Sequence, residues 1–175
     1  MTLTFQHITK AEAVKLAEEH VAQDRLISGA FYKNGTPNWK GCSVGCFVKT
    51  NKEPHKKLAE LLGTTEEIEC LRDFIFENLS IDKRADWHVR LTKAIPEGKD
   101  VSKVGPLHAA RTLRRCLGYI GKGSESWRKD CHKVVRDTIA ILETGRYLTS
   151  AEAAEAAWAA EAAEAAWAAE AARAA

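Results

Sequence analysis

Cys42 and Cys46 stand four residues apart inside the hexapeptide Gly41-Cys42-Ser43-Val44-Gly45-Cys46. On a helix that spacing puts both thiols on one face. With His55 they could supply three ligands to zinc, and Cys70 or His88 a fourth. One of the thiols could instead act as a nucleophile with His55 as its base, given a helix N-terminus or a cation to lower its pKa. No second close cysteine pair exists, and no third residue orients the base. Free cysteines also serve commonly as small core hydrophobes. The sequence therefore assigns no catalytic residue, no metal and no cofactor, and keeps zinc at Cys42, Cys46 and His55 as the alternative.

Gly41 and Gly45 offer a different chemistry. Backbone N–H groups in a glycine-bearing turn that opens a helix can cradle an anion. A basic stripe supports that direction. His108, Arg111, Arg114 and Arg115 fall at helical spacing, and such a fork of guanidiniums suits phosphate or carboxylate oxygens. Arg128, Lys129, Lys133 and Arg136 repeat the pattern beside Trp127. Tyr32 and Trp39 lie close to the glycine motif and could stack a base. The alternative is a solvated basic face whose stems cover apolar surface. Trp87 reads as core rather than site. Glu18-Glu19 and Glu66-Glu67 are adjacent pairs that point apart on a helix, so no acid–base pair is evident.

Helices must position these groups. Thr9 and Glu12 form a capping box before a run to about Asp24. Residues 26–50 read as a loop region with a hairpin at Asn34-Gly35. Pro54 starts and Gly63 ends a short helix. Thr64 and Glu67 box the next, with Ile68, Leu71, Phe74, Ile75 and Leu79 as its core stripe. Asp82 caps another, to Ile95. A basic helix follows from Leu107 to Ile120. A last one, capped by Ser124 or Ser126, runs to about Thr144, with Val134, Val135, Ile139 and Leu142 for packing. The expected fold is mainly α, a compact bundle of six or seven helices with a protruding Ala-rich helix at the C-terminus. The body occupies residues 1–148 and the oligomerisation helix 149–175.

That helix is a sequence repeat. AEAAEAAWA at 151–159 recurs unchanged at 160–168, and 17 of the last 25 residues are Ala. Ala has the highest helix propensity, and Thr149 with Glu152 forms a capping box at the start. Trp158 and Trp167 are nine residues apart, about 900° of helix, and so point to opposite sides. No leucine-type seam results. Each Trp could enter a different neighbour, so self-association is expected. A solvated low-complexity helix is the alternative.

Charge divides along the same lines. The last 25 residues carry five Glu and one Arg, whereas Lys99 to Arg136 carries ten Lys or Arg against three acids. A segment of that sign attracts phosphates, nucleotides or nucleic acid. No apolar run approaches the roughly 20 residues of a membrane span. Met1 to Lys10 lacks the basic and apolar regions of a signal peptide. Five cysteines, an odd number, then read as reduced thiols in a cytoplasmic protein.

From about residue 24 onward the chain resembles an uncharacterised protein family of bacteria and their phages. The resemblance lies in GCxVGC (Gly41 to Cys46), the following His55, the helix ending Leu62-Gly63 and an LxDxIFExL stretch from Leu71 to Leu79. Trp87, the AIPxG segment Ala94 to Gly98 and the Ala/Trp/Glu tail extend it. The resemblance implies an architecture and a phage origin, and no mechanism. Together the residues lead to an oligomeric protein that captures a small anionic, nucleotide-like ligand. In that scheme Arg111, Arg114, Arg115 and His108 hold phosphates, Tyr32 or Trp39 stacks the base, and Gly41 to Gly45 donate. Its phage form is a counter-defence protein that sequesters a host immune signal. A Cys/His enzyme, zinc- or thiol-dependent, is one alternative; a structural or nucleic-acid-binding assembly protein is another.

Overall fold

A computed structural model describes residues 3–35, 37–118, 126–158 and, in the tail, 161, 162 and 165. The fold is mainly α, with one two-stranded sheet among the described residues. Contacts divide the chain into two compact units, Met1–Ser102 and Lys103–Ala175. The two basic helices therefore group with the tail rather than with the residues before them.

The first unit opens on α1, Lys10–Ala22. Thr9 accepts from the Glu12 amide, and the Glu12 side chain returns to the Thr9 amide, so the capping box forms as expected. α1 buries Ala13, Ala17 and His20. β1 (Tyr32–Lys33) pairs antiparallel with β2 (Lys40–Gly41), with Tyr32 opposite Gly41. The hairpin delivers the chain into the buried hexapeptide and α2, Gly45–Val48.

α3 spans Pro54–Leu62, with Pro at its start and Gly63 in the left-handed region (φ +69°) at its end. Only glycine suits that end, because a Cβ on Gly63 would lie 2.2 Å from the Leu3 carbonyl oxygen. α4 spans Glu66–Asn78 and α5 Ile81–Ala94. Ala13, Val44, Leu58, Leu62, Phe76 and Ile95 form the core, with Trp87 packed against it as read from sequence. Each of the large members contributes about 1.5–3 kcal/mol by leaving water.

α4 departs from its expected face. Its buried residues are Glu69, Arg72 and Phe76, while Leu71 and Phe74 are exposed. Its cap is Thr65, which accepts from the Ile68 amide, and not Thr64. The shift has a cause. Thr64 donates its hydroxyl to Glu69 at 2.6 Å, and Glu69 meets Arg72 at 2.6 Å with both side chains fully buried. Two charges that cancel can occupy the core stripe where apolar residues were expected.

The second unit holds α6, Val104–Leu117, and α7, Ser126–Glu143. Ala110, Ile139 and Leu142 form its core, with Leu113, Leu117, Val135 and Leu148 against it. Ser126 lies within α7, and Ser124 falls outside the described residues. The tail is helical from Ser150 to Trp158. Its box is present: Glu152 and Thr149 exchange hydrogen bonds, and Arg146 grips Glu152 through two bonds of 2.8 Å. Among the described residues no helix is long and apolar enough to cross a membrane.

Candidate functional site

The hexapeptide is buried throughout, and its adjacent side chains face different clusters. The Gly41 and Gly45 amides face protein atoms in this structure. The Gly41 amide donates to the Arg25 carbonyl at 2.9 Å, and the Gly45 amide points at Cys42 Sγ at 3.4 Å. Their lack of a side chain serves packing instead: a Cβ on Gly45 would sit 1.5 Å from the Phe31 carbonyl oxygen.

Cys46 donates to the Gly41 carbonyl at 3.3 Å and shares no cluster with Cys42. Cys42 faces α4. Its sulfur and one oxygen each of Asp73 and Glu77 lie within 4.8 Å of one another. His55 Nε2 is 3.3 Å from Asp73 Oδ2. Of the Cys42–Cys46–His55 set read from sequence, Cys42 is grouped with Asp73 and Glu77, and His55 is placed against Asp73. Asp73 and Glu77 sit one helical turn apart on α4, and that i, i+4 spacing was the signal available in the sequence. Burial pushes both thiols up to about 12; beside Cys42, Asp73 adds to that effect against the Gly45 amide. Neither thiol is a ready nucleophile with the site in this state.

Ser43 faces the other way. Its hydroxyl lies 2.9 Å from His88 Nδ1, and His88 Nε2 lies 3.3 Å from His20 Nδ1. Ser43 and His88 are fully buried, and His20 is 4% exposed. Two neutral arrangements satisfy this chain. Ser43 donates to His88 and His88 to His20, or every proton runs the opposite way. Burial lowers His20 to about 4, with Lys49 and Arg25 adding to it. Burial also holds His88 well below the usual imidazole range, with Arg72 and His20 contributing. Both rings are therefore neutral near neutral pH. The sequence held no spacing that would join residues 20, 43 and 88.

His20 also borders a groove of about 490 Å³. Lys33 and Lys40 of the hairpin and Arg84 of α5 line it, with Asp24 as its carboxylate and Leu26, Ile27 and Ile81 as apolar wall. Lys40 reaches Asp24 at 2.7 Å. Arg84 is fixed by Ser28 Oγ at 2.8 Å and by the Phe76 and Glu77 carbonyls. Lys33 has no ion pair among the described residues and stands exposed.

The aromatic candidates lie beside this groove's elements but not along its lining. Tyr32 and Trp39 are 6.1 Å apart between ring centroids. Trp39 is already occupied: Arg25 and Lys49 lie 5.0 and 4.8 Å from its ring centre, and its ring meets His20 edge-on. The basic candidates belong to the second unit. His108, Arg111, Arg114 and Arg115 are all exposed on α6. Arg114 donates to Glu143 of α7 at 2.8 Å. Arg111 and Arg115 have no ion pair among the described residues. Trp158 is 73% exposed, and Trp167 lies outside the described residues.

No protein family, curated protein or solved structure matches this chain.

Proposed function

We propose that the first unit captures a small anionic, nucleotide-like ligand in the groove bordered by His20, Lys33, Lys40 and Arg84. The observation that carries this is the charge of that groove: three cations against one carboxylate, over an apolar wall, in about 490 Å³. Ligand sites of that size combine apolar lining with a few placed polar groups. Lys33 supplies the uncompensated charge at the mouth, and Arg84 is held rigid by its three oxygen partners. A preorganised guanidinium loses little freedom on meeting an anion.

Calorimetric titration of the full chain with pyrophosphate, ADP and adenosine tests this. Both anions bind, adenosine does not, and Lys33→Glu weakens the anions at least tenfold. The absence of heat with either anion, or unchanged affinity in Lys33→Glu, removes the groove as a binding site. A phage protein that sequesters a host nucleotide signal is the specific form this function takes, on the resemblance alone. Self-association through the tail belongs to the same proposal and is supported by the exposed Trp158. Light scattering then reads a smaller particle for Trp158→Ala than for the parent chain.

A second anion surface is favoured by one observation in the second unit. Arg111 and Arg115 stand one turn apart, exposed, with His108 alongside. A stripe of this kind suits a nucleic-acid backbone. Binding of a single-stranded oligonucleotide would then weaken as salt rises, with a shallower slope in Arg111→Ala/Arg115→Ala.

A further inference from the structure

Three segments distant in sequence bring four potential metal donors together in the first unit. Cys42 comes from the turn between β2 and α2, His55 from the first turn of α3, and Asp73 and Glu77 from one face of α4. The donor atoms of Cys42, Asp73 and Glu77 lie within 4.8 Å of one another, and His55 Nε2 is 3.3 Å from Asp73. We propose that Cys42, His55, Asp73 and Glu77 form a binding site for a divalent, borderline-soft metal ion of the zinc class.

Independent observations point to a ligand there. Asp73 Oδ1 is buried without a hydrogen-bond partner, next to the fully buried Cys42. The neighbouring Cys42 thiol is the group that can donate to this carboxylate, and a cation that displaces the thiol proton would bind sulfur and oxygen together. Glu77 is already aimed: the Gly29 amide donates to its Oε2 at 2.8 Å, the kind of outer contact that orients a metal-binding carboxylate. A cavity of about 280 Å³ opens beside the cluster, lined by Gly29, Ala30, Phe31, Asp73 and Glu77. It gives an ion and its hydration water a way in.

The donor set selects the ion. Calcium and magnesium take oxygen ligands only, whereas one sulfur, one imidazole nitrogen and carboxylate oxygens suit zinc or cobalt. Zinc bonds of about 2.0–2.3 Å place tetrahedral donors roughly 3.5 Å apart. The His55–Asp73 pair has that spacing now. Cys42, Asp73 and Glu77, within 4.8 Å of one another, must close by about an ångström, and His55 must turn toward them from its contact with Asp73. The Cys42 thiol gives up its proton to solvent as the sulfur–metal bond forms, so no redox partner is needed. The ion would tie the hairpin exit, α3 and α4 into one unit. This site is separate from the anion groove and stands whether or not that groove binds.

Cobalt substitution reads the site directly. Full-length protein without a polyhistidine tag is stripped with a chelator and titrated with Co²⁺ alone, then with Zn²⁺ in competition. One Co²⁺ per chain should bind and produce a thiolate-to-cobalt charge-transfer band that Zn²⁺ abolishes and excess Mg²⁺ leaves unchanged. Cys42→Ser removes the band. Asp73→Asn and Glu77→Gln each weaken binding at least tenfold, whereas Cys70→Ser, an exposed thiol outside the cluster, changes nothing. If Cys42→Ser does not fold, the two near-isosteric carboxylate variants decide. No charge-transfer band in the parent chain, a band retained in folded Cys42→Ser, or parent affinity in both carboxylate variants would overturn the site.

Discussion

Acid should unfold the first unit through the buried His20–His88–Ser43 chain, and the size of the effect follows from the rings' burial. His20 has an ordinary value of 6.5 and is held at about 4 in the fold, chiefly by burial, with the Lys49 and Arg25 charges assisting. A folded value below the unfolded one means that the unfolded chain takes up the proton first as pH falls. The stabilisation is complete above about pH 6.5 and is lost as pH drops through 4. A separation of 2.5 units corresponds to about 3 kcal/mol in the acid limit, and to about 2.5 kcal/mol by pH 4.5. His88 acts in the same direction, held down by burial and by the charge of Arg72, which is paired with Glu69. Because the two rings share a hydrogen bond, a second proton on the pair is opposed by the first. Urea unfolding at about pH 7.5 and about pH 4.5 measures the loss, and His20→Gln isolates it from the carboxylates that titrate in the same window. The variant is less stable at neutral pH, but its stability falls between the two conditions by about 2.5 kcal/mol less than the parent's. Equal losses in parent and variant would refute the assignment of the buried imidazoles as the acid-sensitive element.

Other contacts give predictions of comparable sharpness. Arg72→Met strands the fully buried Glu69 carboxylate and should cost about 3–5 kcal/mol, whereas Glu69→Leu/Arg72→Met costs much less; a shift in urea midpoint at constant slope reads both. Gly45→Ala forces a Cβ to within 1.5 Å of the Phe31 carbonyl and should cost more than about 4 kcal/mol or prevent folding. Gly98→Ala, at φ +63° with open space around it, should cost only about 1–2 kcal/mol by the same urea unfolding. Thr149→Ala removes the tail cap and should weaken the first turn by about 1 kcal/mol, seen as roughly fivefold faster hydrogen exchange at the Glu152 amide.

What the sequence revealed depended on how far the decisive partner lay. Thr9 with Glu12, Thr149 with Glu152, and Pro54 with Gly63 act within a single turn or one helix, so their types and spacing were enough. The hairpin at Asn34-Gly35 and the Ile139 and Leu142 core positions were legible for the same reason. α4 was misread because hydropathy cannot express cancellation. Glu69 and Arg72 count as polar separately, yet they pair in the core and are joined there by the hydroxyls of half-buried Thr64 and buried Thr92. Leu71 and Phe74, apolar by type, are left outside. The basic stripe was legible as charge, but its pairing of Arg114 with Glu143 on the next helix was not. His20, Ser43 and His88 gave no signal at all, because only the packed fold brings three separate segments to one line.

The hexapeptide explains why these clusters sit where they do. Gly41 and Gly45 let the backbone press against the Phe31 carbonyl, which turns the chain sharply enough to bury six consecutive residues. A buried turn exposes alternate side chains to different neighbours, so Cys42 meets α4 while Ser43 meets α5. Two polar clusters thereby share one short backbone segment without sharing a contact. A shift of that segment must displace both, since close-packed interiors transmit small movements rather than absorb them. Metal uptake at Cys42 and acid sensitivity at His20 should therefore respond together to Gly45→Ala if it folds. Asp73→Asn, which acts beside Cys42 and His55 and not at Ser43, should alter metal uptake alone and leave the acid window where His20 sets it.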